Sequence, residues 1–171
     1  MRVGIGYDSH RFASGRPLVL GGVRVPDHDG LTGHSDGDAV AHALIDALLG
    51  ASALGNIGEH FPDSDPRWEG ADSMDLLAAT IRLIEERNYQ VVNADVTIIT
   101  ESPRIAPWVP QMAERIAELL RIAGSCVSVK GKTNEGMGWI GRGEGMATIA
   151  VVLLDQIGDI DTLHASIRTG G

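Results

Sequence analysis

The sequence predicts an α/β chain of the α+β type, with a single mixed β-sheet and its helices packed on one face. Two observations carry that prediction. Apolar residues alternate or run unbroken in some segments and recur every three to four residues in others. Their order is strand, helix, helix, strand, helix, strand, strand. The 171 residues also suffice for one domain with a real core and are too few for two. A sheet covered on one face leaves the other in need of burial. Because residues 146–154 are strongly apolar, that face is expected to lie between subunits.

The first strand reads over residues 2–9, with Val3, Ile5 and Tyr7 on one face. Gly4 and Gly6 share the other face with Asp8 and His10, so close approach by another element is expected there. Residues 17–25 read as a small hairpin turning at Gly21-Gly22. A helix covers 38–53, with Ser35 and Asp36 as candidate caps. Ala43, Leu44, Ala47 and Leu48 form its apolar side, while Asp38, His42 and Asp46 recur every fourth residue on another. Residues 55–72, rich in Gly, Asp and Pro, read as a long irregular loop of the kind that serves function or moves.

The next helix spans 73–88 and buries Leu76, Leu77, Ile81 and Ile84. An apolar strand over 90–100 ends before Pro103. A third helix, 107–123, starts at Pro107 and turns Met112, Ile116, Leu119 and Leu120 inward. Strands at 126–132 and 146–154 flank a Gly-rich stretch, 134–145. Residues 1–157 thus form the domain, and 158–171 a C-terminal tail expected to be poorly ordered.

Composition narrows the function. With 43% hydrophobic and 22% charged residues the chain is not of disordered type. Only 4% are aromatic and 22 residues are Gly, so the core rests on Ala, Val, Ile and Leu. A net charge of -9 argues against nucleic acid as the main partner. It leaves room for one small phosphorylated ligand if metals and local cations offset the repulsion. The single Cys126 forms no internal disulfide. No run reaches the roughly 18 apolar residues of a membrane span, and a cytoplasmic location is expected.

Four constellations can carry chemistry, each with a plainer reading beside it. Asp8-x-His10 projects a carboxylate and an imidazole to one side of a strand, toward a shared ion or as a simple surface pair. His34-Ser35-Asp36-Gly37-Asp38, followed by His42, adds a third ligand and so gives two His and one Asp, a common zinc set. There Asp38 also fits as a helix N-terminal charge, and Asp38 or Asp46 as the partner of the non-ligating nitrogen of His42. Lys130-Gly131-Lys132-Thr133-Asn134-Glu135 offers cations, a hydroxyl and a carboxylate to phosphate and a hard ion, or is an ordinary polar turn. It lacks the glycine spacing of a P-loop. Gly141-Arg142-Gly143-Glu144-Gly145 implies backbone crowding beside a couple that serves a structural salt bridge or a site.

Together with Gly6-x-Asp8-x-His10 and Phe61-Pro62-Asp63-x-Asp65-Pro66, these segments occur in an order and spacing that resembles the 2-C-methyl-D-erythritol 2,4-cyclodiphosphate synthase family, from residue 1 to about 155. The resemblance implies a reaction. In 4-diphosphocytidyl-2-C-methyl-D-erythritol 2-phosphate, an oxygen of the 2-phosphate displaces CMP from the β-phosphorus, closing a cyclic diphosphate on the non-mevalonate route to isoprenoids. The nucleophile belongs to the substrate, so the protein supplies positioning and charge neutralisation.

By matching positions, the resemblance gives Asp8, His10 and His42 to Zn²⁺, and Glu135 to a second ion, Mg²⁺ or Mn²⁺. Asp8 and His10 thereby also face the bound substrate. It places His34 and Ser35 on substrate phosphate and Thr133 beside the transferring group, His34 and Thr133 being the candidate catalytic pair. Asn56, Ile57 and Gly58, with Phe61, Pro62, Asp63, Ser64 and Asp65, line the sugar pocket. Thr100, Glu101, Ser102, Pro103, Arg104, Ile105 and Ala106 recognise cytosine. Lys132, Asn134, Trp139 and Arg142 complete the set of substrate contacts. This chain departs from the family pattern at Asn56 (usually Asp), Lys132 (Thr), Arg104 (Lys) and Trp139 (Phe).

The implied fold is a chorismate mutase-like subunit in a homotrimer, sheets inward and active sites at subunit interfaces. A central cavity able to hold an isoprenoid diphosphate would have Arg142 and Glu144 near its mouth. Two other readings share the ligands: a zinc phosphodiesterase, and a non-catalytic trimer binding metal or isoprenoid.

Overall fold

The computed structural model describes residues 1–157; the tail expected at 158–171 lies outside the described residues. The chain opens with β1, Arg2–Leu20, far longer than the strand expected at 2–9. Its first half pairs antiparallel with β5 (Gly145–Gln156), and its second half with β2 (Val23–Leu31). Partners change from β5 to β2 between Arg11 and Phe12, and within the β2 pairing the register slips from Ala13 to Pro17, with Gly15 at φ +84°. Such a bulge bends the strand and increases its local twist. It carries no apolar alternation, which is why periodicity alone separates the two arms. The β1–β2 turn falls at Gly21-Gly22, as expected.

Helix α1 covers Ala39–Ser52. Its cap is Asp38, not Ser35 or Asp36: the Asp38 carboxylate accepts from Val40 N at 3.0 Å and Ala41 N at 3.1 Å. Ser35 and Asp36 instead brace the turn before it, accepting from Gly37 N and Asp38 N. A second correction concerns its apolar side. Residues from Ala39 to Ala51 are buried nearly all round, because α1 lies between the sheet and a second helix. The approach to β1 is extreme. A Cβ at Gly4 would stand 2.0 Å from Ala47 O, and one at Gly6 1.9 Å from Ala43 O. Only glycine admits that contact, and the close approach expected on that face is the helix itself.

Within 55–72 run a short helix α2, Ile57–His60, and a 3₁₀ turn, Pro66–Trp68. Helix α3, Ser73–Glu85, is capped by Asp72 and buries the expected Leu76, Leu77, Ile81 and Ile84. It stops short of 88, where Asn88 takes a left-handed conformation. Strand β3 is Tyr89–Ile99. A 3₁₀ turn, Ala106–Trp108, leads into α4, Val109–Leu120, which Arg121 closes in a left-handed conformation. Met112, Ile116 and Leu120 are buried and Leu119 half-buried. Strand β4, Val127–Lys132, and a short helix α5, Gly138–Gly141, precede β5.

The strand order is β2-β1-β5-β3-β4; only β3 and β4, joined through α4, are parallel. The sheet is therefore mixed, and the core lies between its inner face and the helices. Val96, Ile98, Met146, Ala150, Val152 and Leu154 are buried there. The outer face is apolar and open in the single chain: Val3, Ile5 and Tyr7 are 70%, 69% and 55% exposed. Leu153, Val151 and Ile149 pair beside them. Among the described residues no helix is long and apolar enough to cross a membrane.

Candidate metal centre and substrate pockets

The inner face of β1 carries Asp8 and His10 two residues beyond the glycines that let α1 settle. That contact presses His42, on the first turns of α1, against both. His10 Nε2 lies 2.8 Å from Asp8 Oδ2, His42 Nδ1 3.2 Å from the same oxygen, and the two ring nitrogens 3.2 Å apart. This is the one group of three potential metal ligands among the described residues. Tetrahedral zinc with bonds of ~2.0–2.1 Å would want ligand atoms roughly 3.3 Å apart. One carboxylate and two imidazoles at these separations fit such an ion.

Electrostatics agree. Burial disfavours the Asp8 carboxylate, yet hydrogen bonds and charge from His10 and His42 outweigh it and hold its carboxyl well below the usual range. For His42 burial pulls the other way, but the Asp8 hydrogen bond and charge raise it above its ordinary value, with Asp38 and Asp36 adding to the effect.

The far side of the His42 ring differs from expectation. Its Nε2 meets Ser35 Oγ at 3.0 Å and Ser73 Oγ at 2.9 Å, not Asp38 or Asp46. Both aspartates are engaged elsewhere. Asp38, fully buried, also accepts from Gly21 N at 2.9 Å and Gly22 N at 2.7 Å, tying the hairpin turn to α1. Burial pushes its carboxyl up to about 6 against those backbone donors. Asp46 accepts from Ile57 N at 2.8 Å and so anchors the start of α2.

A pocket of about 310 Å³ opens over the triad. His34, Ser35, Ile57, Gly58, Phe61, Pro62 and Asp63, all expected at the site, line it with His10 and His42. Trp68 and Leu76 join them. Arg16 holds the 33–35 turn by donating to Gly33 O at 2.8 Å and to Ser35 O. Gly70 N donates to His34 O at 2.8 Å, closing the pocket loop onto the same turn. His34 Nε2 is buried with no partner among the described residues. Three expected residues stand outside this lining. Asn56 caps α2, accepting from Glu59 N at 3.3 Å; Asp65 pairs with Arg67; Ser64 is exposed.

A second cavity, about 660 Å³, lies at the C-terminal ends of β3 and β4. Thr100, Glu101, Pro103, Arg104, Ile105 and Ala106 line it with Lys132 and Thr133. Glu101 Oε1 accepts from Asn134 N at 2.8 Å and Gly136 N at 3.1 Å, fixing the turn that carries Glu135. Thr133 Oγ1 donates to Glu135 Oε1 at 2.7 Å. Ser102 lies in a separate hollow beside Phe12 and His28. Trp139 lines a further pocket, of about 320 Å³, with His10 and Arg11. Arg142 Nε pairs with Glu144 at 2.7 Å, and a Cβ at Gly145 would stand 2.2 Å from His10 O, the expected crowding.

Asp8, Thr148, Ile98 and Gly131 are successive partners across β1, β5, β3 and β4. Three strand spacings of ~4.8 Å put the metal centre and the second cavity about 14 Å apart within one chain. Sequence reading missed Ser73, Arg16, Trp68 and Leu76. Ser73 and Leu76 are legible only as helix residues, and Arg16 sits in the irregular bulge where no pattern speaks.

The YgbB family matches residues 1–155. The 2-C-methyl-D-erythritol 2,4-cyclodiphosphate synthase of Symbiobacterium thermophilum is 54% identical over 154 residues, which are 90% of this chain and 98% of that protein. A CDP-bound form of a 2-C-methyl-D-erythritol 2,4-cyclodiphosphate synthase superposes with a TM-score of 0.83 at 40% identity, over 90% of this chain and 100% of that one. The bifunctional IspDF of Campylobacter jejuni gives 0.88 at 40% identity, over 91% of this chain; the chain spans 42% of that longer protein. With its core and its three candidate metal ligands inside the matched region, the chain belongs to the YgbB family, to which the resemblance to cyclodiphosphate synthases pointed.

Proposed function

We propose that the chain converts 4-diphosphocytidyl-2-C-methyl-D-erythritol 2-phosphate to 2-C-methyl-D-erythritol 2,4-cyclodiphosphate and CMP. The observation that carries this reading is the convergence of Asp8, His10 and His42 at the pocket lined by His34, Ser35 and residues 57–63. The near-full-length identity to named synthases supports it. In the reaction a 2-phosphate oxygen forms a bond to the β-phosphorus, and the bond from that phosphorus to the bridging oxygen breaks. CMP leaves with the electron pair.

Asp8, His10 and His42 would hold Zn²⁺, and Glu135 a second ion, Mg²⁺ or Mn²⁺. Bound there, these ions supply Lewis-acid charge to the diphosphate. The chain's own groups orient the reactants. His34, its Nε2 lacking a partner among the described residues, and Ser35 contact phosphate. Ile57, Gly58, Phe61, Pro62 and Asp63 enclose the methylerythritol part and shed its water. Thr133 stands beside the transferring group, and residues 100–106 receive cytosine. Arg104 and Lys132 add positive charge at the nucleotide end.

A homotrimer of the chorismate mutase-like type accounts for two features at once. It would cover the apolar outer face around Val3, Ile5 and Tyr7. It would also let the metal centre of one subunit meet the nucleotide cavity of another, where a single chain keeps them about 14 Å apart. An isoprenoid diphosphate in a central cavity, and a cytoplasmic setting, are compatible extensions.

The test is direct. Protein, the diphosphocytidyl substrate and Mg²⁺ are mixed and followed by ³¹P resonances. Stoichiometric CMP with a cyclic diphosphate signal is expected. CMP with linear phosphates alone would point to a phosphodiesterase, and no change in zinc-loaded protein would remove the enzyme reading.

A further inference from the structure

We propose that Ser73, braced by Asp36, is a positioning residue that fixes the His42 ring with Nδ1 toward the metal and thereby sets zinc affinity. The proposal rests on the reading of Asp8, His10 and His42 as the zinc ligands.

A neutral imidazole has one nitrogen that donates and one that accepts. Nδ1 of His42 is the atom beside Asp8 and His10, so a ligating ring must carry its proton on Nε2. That proton needs an acceptor, and among the described residues Nε2 meets two hydroxyls, those of Ser35 and Ser73. A hydroxyl can donate or accept, so its presence alone selects no tautomer. Asp36 decides the matter. Ser73 Oγ donates to Asp36 Oδ1, and a carboxylate cannot return the proton. The oxygen of Ser73 is left with its lone pairs toward His42, and the chain runs from Nε2–H to Ser73 Oγ to Asp36.

The brace is itself fixed. Asp36 accepts from Asp38 N at 3.1 Å and Ser73 N at 3.3 Å, and its own N–H donates to Ala71 O at 3.0 Å. Ser73 is fully buried, so water does not compete for its hydroxyl. Ser35 is differently placed: its oxygen receives Gly37 N and stands 3.1 Å from Ser73 Oγ, at the pocket wall. An anion at the end of the relay raises the basicity of Nδ1, as carboxylates behind histidine ligands do elsewhere. The same bonds join the start of α3, and the pocket loop leading into it, to a ligand on α1.

The experiment uses the full chain, stripped of metal. Zinc affinity is read by competition with a chromophoric chelator, Co²⁺ absorption reports the ligand field, and urea unfolding of the metal-free protein reports the fold. Ser73→Ala is expected to weaken zinc binding about 10- to 100-fold and alter the cobalt bands. Asp36→Asn retains the brace's shape and should lose near the low end, about 10-fold; it carries the test if Ser73→Ala does not fold. Unchanged zinc affinity in the folded variants, with only the unfolding midpoint lowered, would give Ser73 a structural role and overturn the proposal. Wild-type protein that binds no zinc would sink the ligand reading beneath it, an outcome distinct from the first.

Discussion

Replacing Gly6 with Ala tests whether the helix–strand contact builds the metal centre. The new Cβ would stand 1.9 Å from Ala43 O and 2.8 Å from Ala47 N, both backbone atoms of α1. Restoring an ordinary contact of 3.4 Å requires the two backbones to part by about 1.5 Å. No side-chain rotamer can absorb that, so the helix must move or the strand must buckle. Overpacking a core costs about 1–3 kcal/mol, and a backbone collision belongs at the upper end. The functional effect is larger in proportion. His42 adjoins Ala43 on α1, and Asp8 lies two residues from Gly6 on β1, so the displacement falls almost directly between ligands. Metal sites tolerate departures of about 0.2 Å in ligand distance. Gly6→Ala should therefore lower the urea midpoint and cut zinc affinity far more than an equal loss of stability elsewhere would. Chelator competition and urea unfolding on the same preparation measure both. Wild-type zinc affinity, with stability within about 0.5 kcal/mol of wild type, would refute the close-approach argument.

Zinc affinity should fall as pH drops through the raised His42 value. Below it the ring must lose a proton before Nδ1 can ligate, about tenfold in affinity per pH unit; chelator competition between about pH 5 and 8 reads the slope. Asp38 works in the opposite sense to a salt-bridged carboxylate. Its folded value, raised from 3.8 to about 6, means that stability is fully present below pH 3.8 and is withdrawn as pH rises through about 6. Urea midpoints of wild type should decline over that window relative to Asp38→Asn, whose side chain does not titrate. On the open sheet face, Ile5→Asp should leave the subunit fold intact, since Ile5 is 69% exposed in the single chain. It should shift the sedimentation coefficient from that of the proposed trimer to that of a monomer, and an unchanged coefficient would remove this face from the assembly.

Where the sequence was legible, a periodic burial pattern lay behind it. The stripe Leu76, Leu77, Ile81, Ile84 and the alternation Val3, Ile5, Tyr7 each state which side meets the core and which does not. The meeting of Asp8, His10 and His42 was legible through the family resemblance, and the fold supplies its reason: Asp8 and His10 share a strand face, and His42 stands on the helix that two glycines admit. What stayed hidden depends on contacts between distant segments. Nothing in Ser73 or Asp36 announces that they meet behind His42, 31 and 6 residues away in the chain. The cap of α1 was misread for the same reason. Asp38, Asp36 and Ser35 are all good caps by type, and the choice falls to Asp38 because the distant Gly21-Gly22 turn supplies two more donors to its carboxylate.

The charge distribution resolves an apparent conflict between a net charge of -9 and a substrate bearing several phosphates. Most ion pairs neutralise cations away from the site or at its margin: Arg67 with Asp65, Arg121 with Glu85, Lys130 with Asp95, Arg142 with Glu144. Arg104 and Lys132, both lining the second cavity, have no carboxylate within ion-pair distance among the described residues. They keep their full charge for an anion. At the other end a divalent ion held, as proposed, by the Asp8–His10–His42 cluster would bring positive charge. Two local positive ends about 14 Å apart in one chain do not suit one compact diphosphate. They would suit it if, in the proposed trimer, a neighbouring copy brought its second cavity against this chain's metal centre. The open apolar face and the divided site thus argue for the same assembly from independent physics, one from burial and one from charge.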